Sequence, residues 1–281
     1  MDATCFAASF IMVHEVGVSR GTPMLNGDQL AGFRDTGLLS LPSAIEASQV
    51  AAMVDRIWEH LSDSNQVVRD RAATWPFSPP TGLRALTAEP RFAALGSPTV
   101  RAALDDLLGA GRWQPPRRWG RLLITFPSQA EQWDLPTGGA WHNDFVPLRS
   151  GVGERALQLF MILQDLPAGG GGTLVLTGSH RLITRYIADT GKAPHPSSLR
   201  RALGGNSWLR ELWEPPEHAS GEQRVHRYMM DGNCIDDVDL RVVELTGRAG
   251  DVYVMHCDTF HAAAPNIRNR PRIMATNIIL V

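Results

Sequence analysis

The sequence predicts a mainly β domain of antiparallel strands with helices packed on it, the helices coming chiefly from the N-terminal third. Three observations carry this prediction. Residues 43–109 show helical spacing and helix-end signals. From residue 121 onward, short runs rich in branched and aromatic residues follow one another. Gly- and Pro-rich turns separate those runs, which favours antiparallel pairing over repeated βαβ units.

Residues 1–25 read as a loosely ordered extension, in which Phe6–Val13 is a short apolar stretch without a basic leader region. Asn26–Phe33 predicts a short helix and Leu38–Pro42 an extended segment. Ser43-Ala44-Ile45-Glu46 has the form of a capping box, with serine and glutamate placed to satisfy each other's end of a first helical turn. Behind it, Val50, Met53, Val54, Ile57, Trp58 and Leu61 recur at helical spacing and form one apolar stripe. A further helix is expected from Ser97-Pro98 to Gly109, with serine as cap and proline at the first helical position. Arg112–Arg121, which sets Arg117 and Arg118 between Trp113 and Trp119, is the one local basic cluster and reads as a solvated loop leading into a strand.

The expected strands are Arg121–Phe126, Ala156–Leu166, Thr173–Leu176, Leu240–Thr246, Asp251–His256 and Ile273–Val281. Gly169–Gly172 lacks the Lys-Ser/Thr of a phosphate loop and reads as a tight inter-strand turn. Between His180 and Leu240 the periodicity is weak, although Trp208, Leu209, Leu212, Trp213 and Tyr228 fall there. So long a segment without clear elements of its own inside a domain points to a functional or a mobile segment. No internal repeats are found.

The chain has 281 residues, 43% of them hydrophobic and 20% charged, with a formal net charge of −2. That balance suits a soluble domain and argues against nucleic acid or an anionic membrane as the main partner. No apolar run reaches the roughly 20 residues of a membrane span. Cys5, Cys234 and Cys257 form no CxxC pair, so neither a disulfide framework nor a thiolate zinc site is expected, which suits a cytoplasmic location.

Two small signals carry chemistry. In Trp141-His142-Asn143-Asp144-Phe145, residues two apart on extended backbone point the same way, so His142 and Asp144 can offer an imidazole nitrogen and a carboxylate oxygen to one ion. The second is Gly250-Asp251 through His256, and then His261 through Arg272. A strand, a turn and another strand return His261 beside the first pair if the sheet curls into a barrel. Two histidines and one carboxylate on one face of a metal leave open positions for other ligands. His256 is the rival for the last of these places, although its same-face neighbours Val254 and Val252 look like core.

The order of these signals resembles the phytanoyl-CoA dioxygenase family of Fe(II)/2-oxoglutarate oxygenases. The matching residues are His142-Asn143-Asp144, Gly170–Thr173, Thr177-Gly178-Ser179-His180, Gly250-Asp251, His261, Asn266 and Arg272. Thr177 stands where the family often has proline, and Ala263 where some members carry a hydroxyl residue that contacts the co-substrate. The resemblance covers residues 26–281. It implies a double-stranded β-helix (jelly-roll, cupin-like) core packed by the N-terminal helices, in one oxygenase domain with 181–239 as a substrate lid. It also implies Fe(II) on His142, Asp144 and His261, with 2-oxoglutarate and dioxygen as co-substrates. His261 is preferred over His256 because Arg272 lies eleven residues beyond it, the spacing of the family's arginine for the distal carboxylate of 2-oxoglutarate. Thr173 would add a hydroxyl to the same carboxylate. His180 would fix a turn.

The implied reaction couples conversion of 2-oxoglutarate to succinate with oxidation of a substrate C–H bond. Asp144 favours hydroxylation over halogenation, since related halogenases replace this carboxylate by a small residue. Phe126, Trp133, Trp141 and Phe145 are candidates for a substrate pocket or for core. The expected partner is a small metabolite, with no nucleic acid and no membrane, and the expected assembly a monomer or homodimer. The competing reading is a cupin-type metal dioxygenase or isomerase that does not use 2-oxoglutarate.

Overall fold

The structure is a computed structural model that describes residues 23–76, 78, 80–128, 130, 132–144, 156–192 and 195–281. Cys5, His14, Phe145 and residues 1–22 of the expected extension lie outside them. Leu25, by contrast, is buried, and its N–H is held by Asp106 at 2.8 Å.

Asn26 caps α1 (Gly27–Thr36) through a reciprocal pair of bonds with Gln29, and Gly37 ends it in the left-handed region. Strand β1 (Leu38–Leu41) follows. The expected capping box before α2 (Ala47–Asn65) does not form: Glu46 is the N-cap and makes no side-chain cap bond. Ser43 instead adopts φ +50, and its N–H is taken by the carboxylate of Asp251, 208 residues away. A tertiary contact outweighs the local motif. The predicted stripe of α2, from Val50 to Leu61, is buried throughout. Ser97 caps α3 (Pro98–Leu108), as its spacing before Pro98 predicts, and its hydroxyl also reaches Ala44 O at 2.6 Å.

The strands are β2 (Arg121–Thr125), β3 (Ala156–Ile162), β4 (Thr173–Thr177), β5 (Asn233–Ile235), β6 (Val238–Glu244), β7 (Val252–His256), β8 (His261–Ala263) and β9 (Arg272–Leu280). They form two antiparallel sheets, ordered β1-β7-β3-β9-β2 and β5-β6-β4-β8. The expected six runs are all found, while β5 and β8, of three residues each, are additional. The two sheets face each other across a shared apolar layer, in which Phe160, Ile162, Met255 and Met274 of the larger sheet meet Val175 and Leu245 of the smaller. This is a jelly-roll sandwich whose sheets are not closed into a continuous barrel.

Alternation along the strands gives each sheet a second, outer face. On the larger sheet that face carries Leu157, Leu159, Met161, Val252, Val254 and Ile273, and α2 and α3 cover it. On the smaller sheet Leu174, Leu176, Leu240 and Val242 are covered by the segment whose sequence shows little period. That segment is helical: α4 (Ser179–Thr190), α5 (Pro196–Leu203), α6 (Ser207–Trp213) and α7 (Gly221–Val225), followed by a π-helical turn, His226–Asp231. Its Trp208, Leu209, Leu212, Trp213 and Tyr228 are buried against the smaller sheet. Among the described residues no helix is long and apolar enough to cross a membrane.

One buried arginine ties this helical segment to the loop before His142. Arg224, 4% exposed, donates to both carboxylate oxygens of Asp134 and to the carbonyls of Leu135, Pro136 and Leu212. Replacing it with methionine leaves these acceptors without a donor, at a cost of about 3 kcal/mol. Arg224→Met is therefore expected to lower the urea midpoint and to open residues 204–231 to protease before the strands.

His180 does not shape a turn. It lies in the first turn of α4 and bonds Arg34 O at 3.0 Å, joining α4 to α1. Since that carbonyl can only accept, the ring proton sits on Nε2, and buried Nδ1 has no partner. Burial, and then the neighbouring His256, lower the pKa of His180 from 6.5 to about 4. A histidine whose pKa falls on folding contributes stability that is complete above pH 6.5 and is lost as pH drops toward 4, because the unfolded chain takes the proton first. The difference corresponds to roughly 3 kcal/mol. Urea titrations at pH 7 and pH 4.5 should show a smaller loss of stability for His180→Gln than for the parent chain.

Candidate metal centre

The strand that would continue the smaller sheet past β8 is reduced to one bridge, in which His142 and His261 exchange backbone bonds: His142 N to His261 O at 3.0 Å, and His261 N to His142 O at 2.8 Å. Directly opposed residues project to the same side of a sheet. The two imidazoles therefore come together, ring centroids 4.4 Å apart, and Asp144, two residues on, follows them. Its Oδ2 lies 3.9 Å from His261 Nε2. One ligand atom from each of His142, Asp144 and His261 falls within 4.8 Å of the others.

Both rings are oriented in the same way. His142 Nδ1 contacts Ala140 O at 2.8 Å, and His261 Nδ1 contacts Thr259 O at 3.1 Å. Each carbonyl accepts, so each proton sits on Nδ1 and each Nε2 keeps its lone pair for a metal. Burial, and next the nearby His142, push the His261 pKa down, which keeps that ring neutral at pH 7. Asp144 Oδ2 is buried without a hydrogen-bond partner among the described residues. A buried carboxylate oxygen left unsatisfied between two imidazole lone pairs is costly unless a cation completes it. Two neutral imidazoles and one carboxylate suit an ion such as Fe(II) with positions left for other ligands, and no thiolate joins the set.

His256 stands elsewhere. It is buried with its ring 5.0 Å from His180, and its own Nδ1 accepts from Asp258 N–H. Its ligand atoms group with Cys257 and Asp258 rather than with His142 and Asp144. That Nδ1 acceptor role leaves the ring proton on Nε2.

Arg272 opens β9 on the interior face of the larger sheet, paired with Thr125 of β2. It is 7% exposed, and it donates to Gly171 O and to Thr125 Oγ1, both at 2.7 Å. Nε is buried without a partner, and among the described residues no carboxylate pairs with it. Burial lowers its pKa to about 10, so it remains charged at pH 7. The loop ahead of it is pinned by fully buried Asn266, whose amide donates to Thr125 O and Arg270 O. Gly171, at φ +84, passes so close to Asn266 that a Cβ would lie 2.8 Å from that side chain.

Thr173 is buried on β4, opposite Ala263, with Val175 opposite His261. These four residues share one face, and Val175 places it in the sandwich interior. Four further residues are absent from the sequence reading. Thr125 is the side chain that touches Arg272. Gln158 and Thr276 lie on the same interior face of the larger sheet, bonded at 3.2 Å, and Gln158 Oε1 is buried without a partner. The polar residue inside the apolar run Ala156–Ile162 was the signal for it. Arg200, on α5, donates to Trp141 O at 2.6 Å, one residue before His142. Of the aromatic candidates among the described residues, Phe126 is core with the N-terminal helices and Trp141 is core with α6, while Trp133 is half-buried against the same cluster as Trp141.

Comparison with known proteins agrees with this geometry. The phytanoyl-CoA dioxygenase (PhyH) family profile matches residues 33–274. The chain is 24% identical over 273 residues to the ectoine dioxygenase of Bordetella parapertussis, covering 94% of this chain and 77% of that protein. Among solved structures it is similar in fold to the epimerase SnoN in complex with Fe3+, alpha ketoglutarate and nogalamycin RO (TM-score 0.52, 17% identity, 90% of this chain and 82% of that one). It is likewise similar to AviO1 from Streptomyces viridochromogenes Tue57 (TM-score 0.52, 18% identity, 93% and 97%). The profile match spans most of the chain, and the chain belongs to the phytanoyl-CoA dioxygenase family of non-haem iron, 2-oxoglutarate-dependent oxygenases.

Proposed function

We propose that this chain oxidises a C–H bond of a small-molecule metabolite, most simply by hydroxylation, with Fe(II) held by His142, Asp144 and His261. The observation that carries the proposal is the buried guanidinium of Arg272, which has no acidic partner among the described residues, inside the same sandwich as the triad. A buried charge without a counter-charge is costly, and a carboxylate supplies one in the geometry that guanidinium prefers. We assign that carboxylate to 2-oxoglutarate. Thr173 sits beside Ala263, the position where a hydroxyl is missing, and offers a hydroxyl from the neighbouring strand on the same face. Iron, 2-oxoglutarate and dioxygen together supply the oxidising power and yield succinate and CO2.

The chain's own residues bind, orient and exclude water. His142 and His261 present fixed Nε2 lone pairs, and the carbonyls of Ala140 and Thr259 keep them fixed. Thr125 and Gly171 O aim the Arg272 fork. The apolar layer of Phe160, Val175 and Met274 keeps water from the space between the sheets. Gln158 offers an unsatisfied acceptor to whatever enters that interior. Residues 181–239 serve as the lid over the substrate, supported by the contacts of Arg200 and Arg224 with the segment leading to His142. The small-molecule class is supported by the ectoine dioxygenase relative and by the nogalamycin compound in the SnoN complex. The scattered cysteines, none in a CxxC pair, suit a reducing cytoplasm.

Succinate formation from 2-oxoglutarate with Fe(II), followed across a panel of small metabolites, tests the activity. Arg272→Ala should raise the KM for 2-oxoglutarate about 30-fold, equivalent to roughly 2 kcal/mol, with iron binding retained. An unchanged KM would favour a cupin-type enzyme that does not use 2-oxoglutarate. Thr173→Val should raise the same KM by about 5-fold, as expected for one neutral hydrogen bond.

A further inference from the structure

The basic cluster that the sequence isolates around Trp113 and Trp119 takes no part in the metal centre. The structure brings three of its arginines, Arg117, Arg118 and Arg121, together with Arg84 of an earlier segment to line a cavity of about 530 Å³. Among the described residues no acidic side chain lines this cavity. None of the four guanidiniums makes an ion pair or a hydrogen bond with a described residue. Four like charges facing one space repel one another, and a chain of net charge −2 has no general excess of cations to explain them.

The loop that presents Arg117 and Arg118 is pinned by its neighbours. Trp119, between Arg118 and Arg121, is buried so closely against Gly96 that a Cβ there would collide with the indole. Its ring also lies 5.0 Å beneath the guanidinium of Arg101. Asn277 of β9 closes the loop from the other side, accepting from Gly120 N–H and donating to Arg118 O. Backbone held at both ends adds little loop-ordering cost on binding. Leu83, Pro116 and Leu122 add an apolar wall. Arg121 and Thr125 occupy opposite ends of β2, about 13 Å apart along the strand, so the cavity is separate from the Arg272 site.

We propose that this cavity binds a small organic phosphate carrying two phosphate groups. Guanidinium forks match phosphate oxygens in bidentate fashion, and four of them exceed what a single carboxylate can neutralise. The volume lies within the ordinary range for a site that holds a metabolite-sized ligand. This inference does not depend on the proposed oxidation, because none of the four arginines touches the triad or Arg272.

Calorimetric titration of the full chain tests it, with 2-oxoglutarate and a redox-inert divalent metal present and fructose 1,6-bisphosphate as the probe. The expected result is saturable binding at physiological salt, weakened at least 10-fold in Arg117→Gln/Arg118→Gln and in the single variant Arg84→Gln. Arg248→Gln/Arg268→Gln, which alters a different arginine-lined pocket, should bind like the parent. Fructose should show no binding. Arg84 lies on a separate segment from the Trp119 loop, so a folding defect in the double variant leaves the single variant to decide. Absence of binding by the parent chain, equal binding by all variants, or binding of heparin without binding of the bisphosphate would overturn the proposal.

Discussion

Two backbone hydrogen bonds, exchanged between His142 and His261, hold together the rest of the candidate site. Each residue lies on a piece of chain too short to be fixed by its own secondary structure: His142 follows one 3-10 turn, and His261 begins a strand of three residues. Pairing them directly sets both imidazoles on one side and brings Asp144, two residues further on, to the same place. The neighbouring carbonyls of Ala140 and Thr259 then settle which ring nitrogen carries the proton. Register produces the constellation, and the tautomers make it competent to hold a cation.

The sandwich interior divides into a dry part and a charged part. Phe160, Val175, Met255 and Met274 seal the two sheets together, and Phe160 also meets His261, ring centroids 6.0 Å apart. Within the same interior sit Arg272, with no acidic partner among the described residues, and the unsatisfied oxygens of Asp144 and Gln158. A folded chain tolerates such groups when ligands complete them, since each is costly alone. The anion-seeking arginine and the cation-seeking triad are complementary demands. One molecule that chelates a metal at one end and carries a carboxylate at the other answers both.

Much of this was legible in the sequence, and the exceptions share a cause. The α2 stripe from Val50 to Leu61 could be read because nineteen residues show a helical period several times over. The helices α4 to α7 could not, since they run to twelve, eight, seven and five residues and bury mixed aromatic side chains against a sheet. The capping box at Ser43–Glu46 failed because Asp251, remote in sequence, takes the Ser43 N–H. Thr125 could not be assigned to Arg272 without the β2–β9 register. The His142–Asp144 spacing was local and therefore visible. The preference for His261 over His256 drew on family resemblance, and the geometry gives its physical reason: His256 is engaged with His180 and Asp258.

The central claim is that His142, Asp144 and His261 form one iron site in which 2-oxoglutarate chelates the metal. Anaerobic titration of the chain with Fe(II) and 2-oxoglutarate, read by visible absorption, tests it most directly. The account predicts a weak metal-to-ligand charge-transfer band for the parent chain, its retention in His256→Ala and its loss in His261→Ala. A parent chain that binds Fe(II) and gives no such band, or a band that survives in His261→Ala and vanishes in His256→Ala, would contradict it.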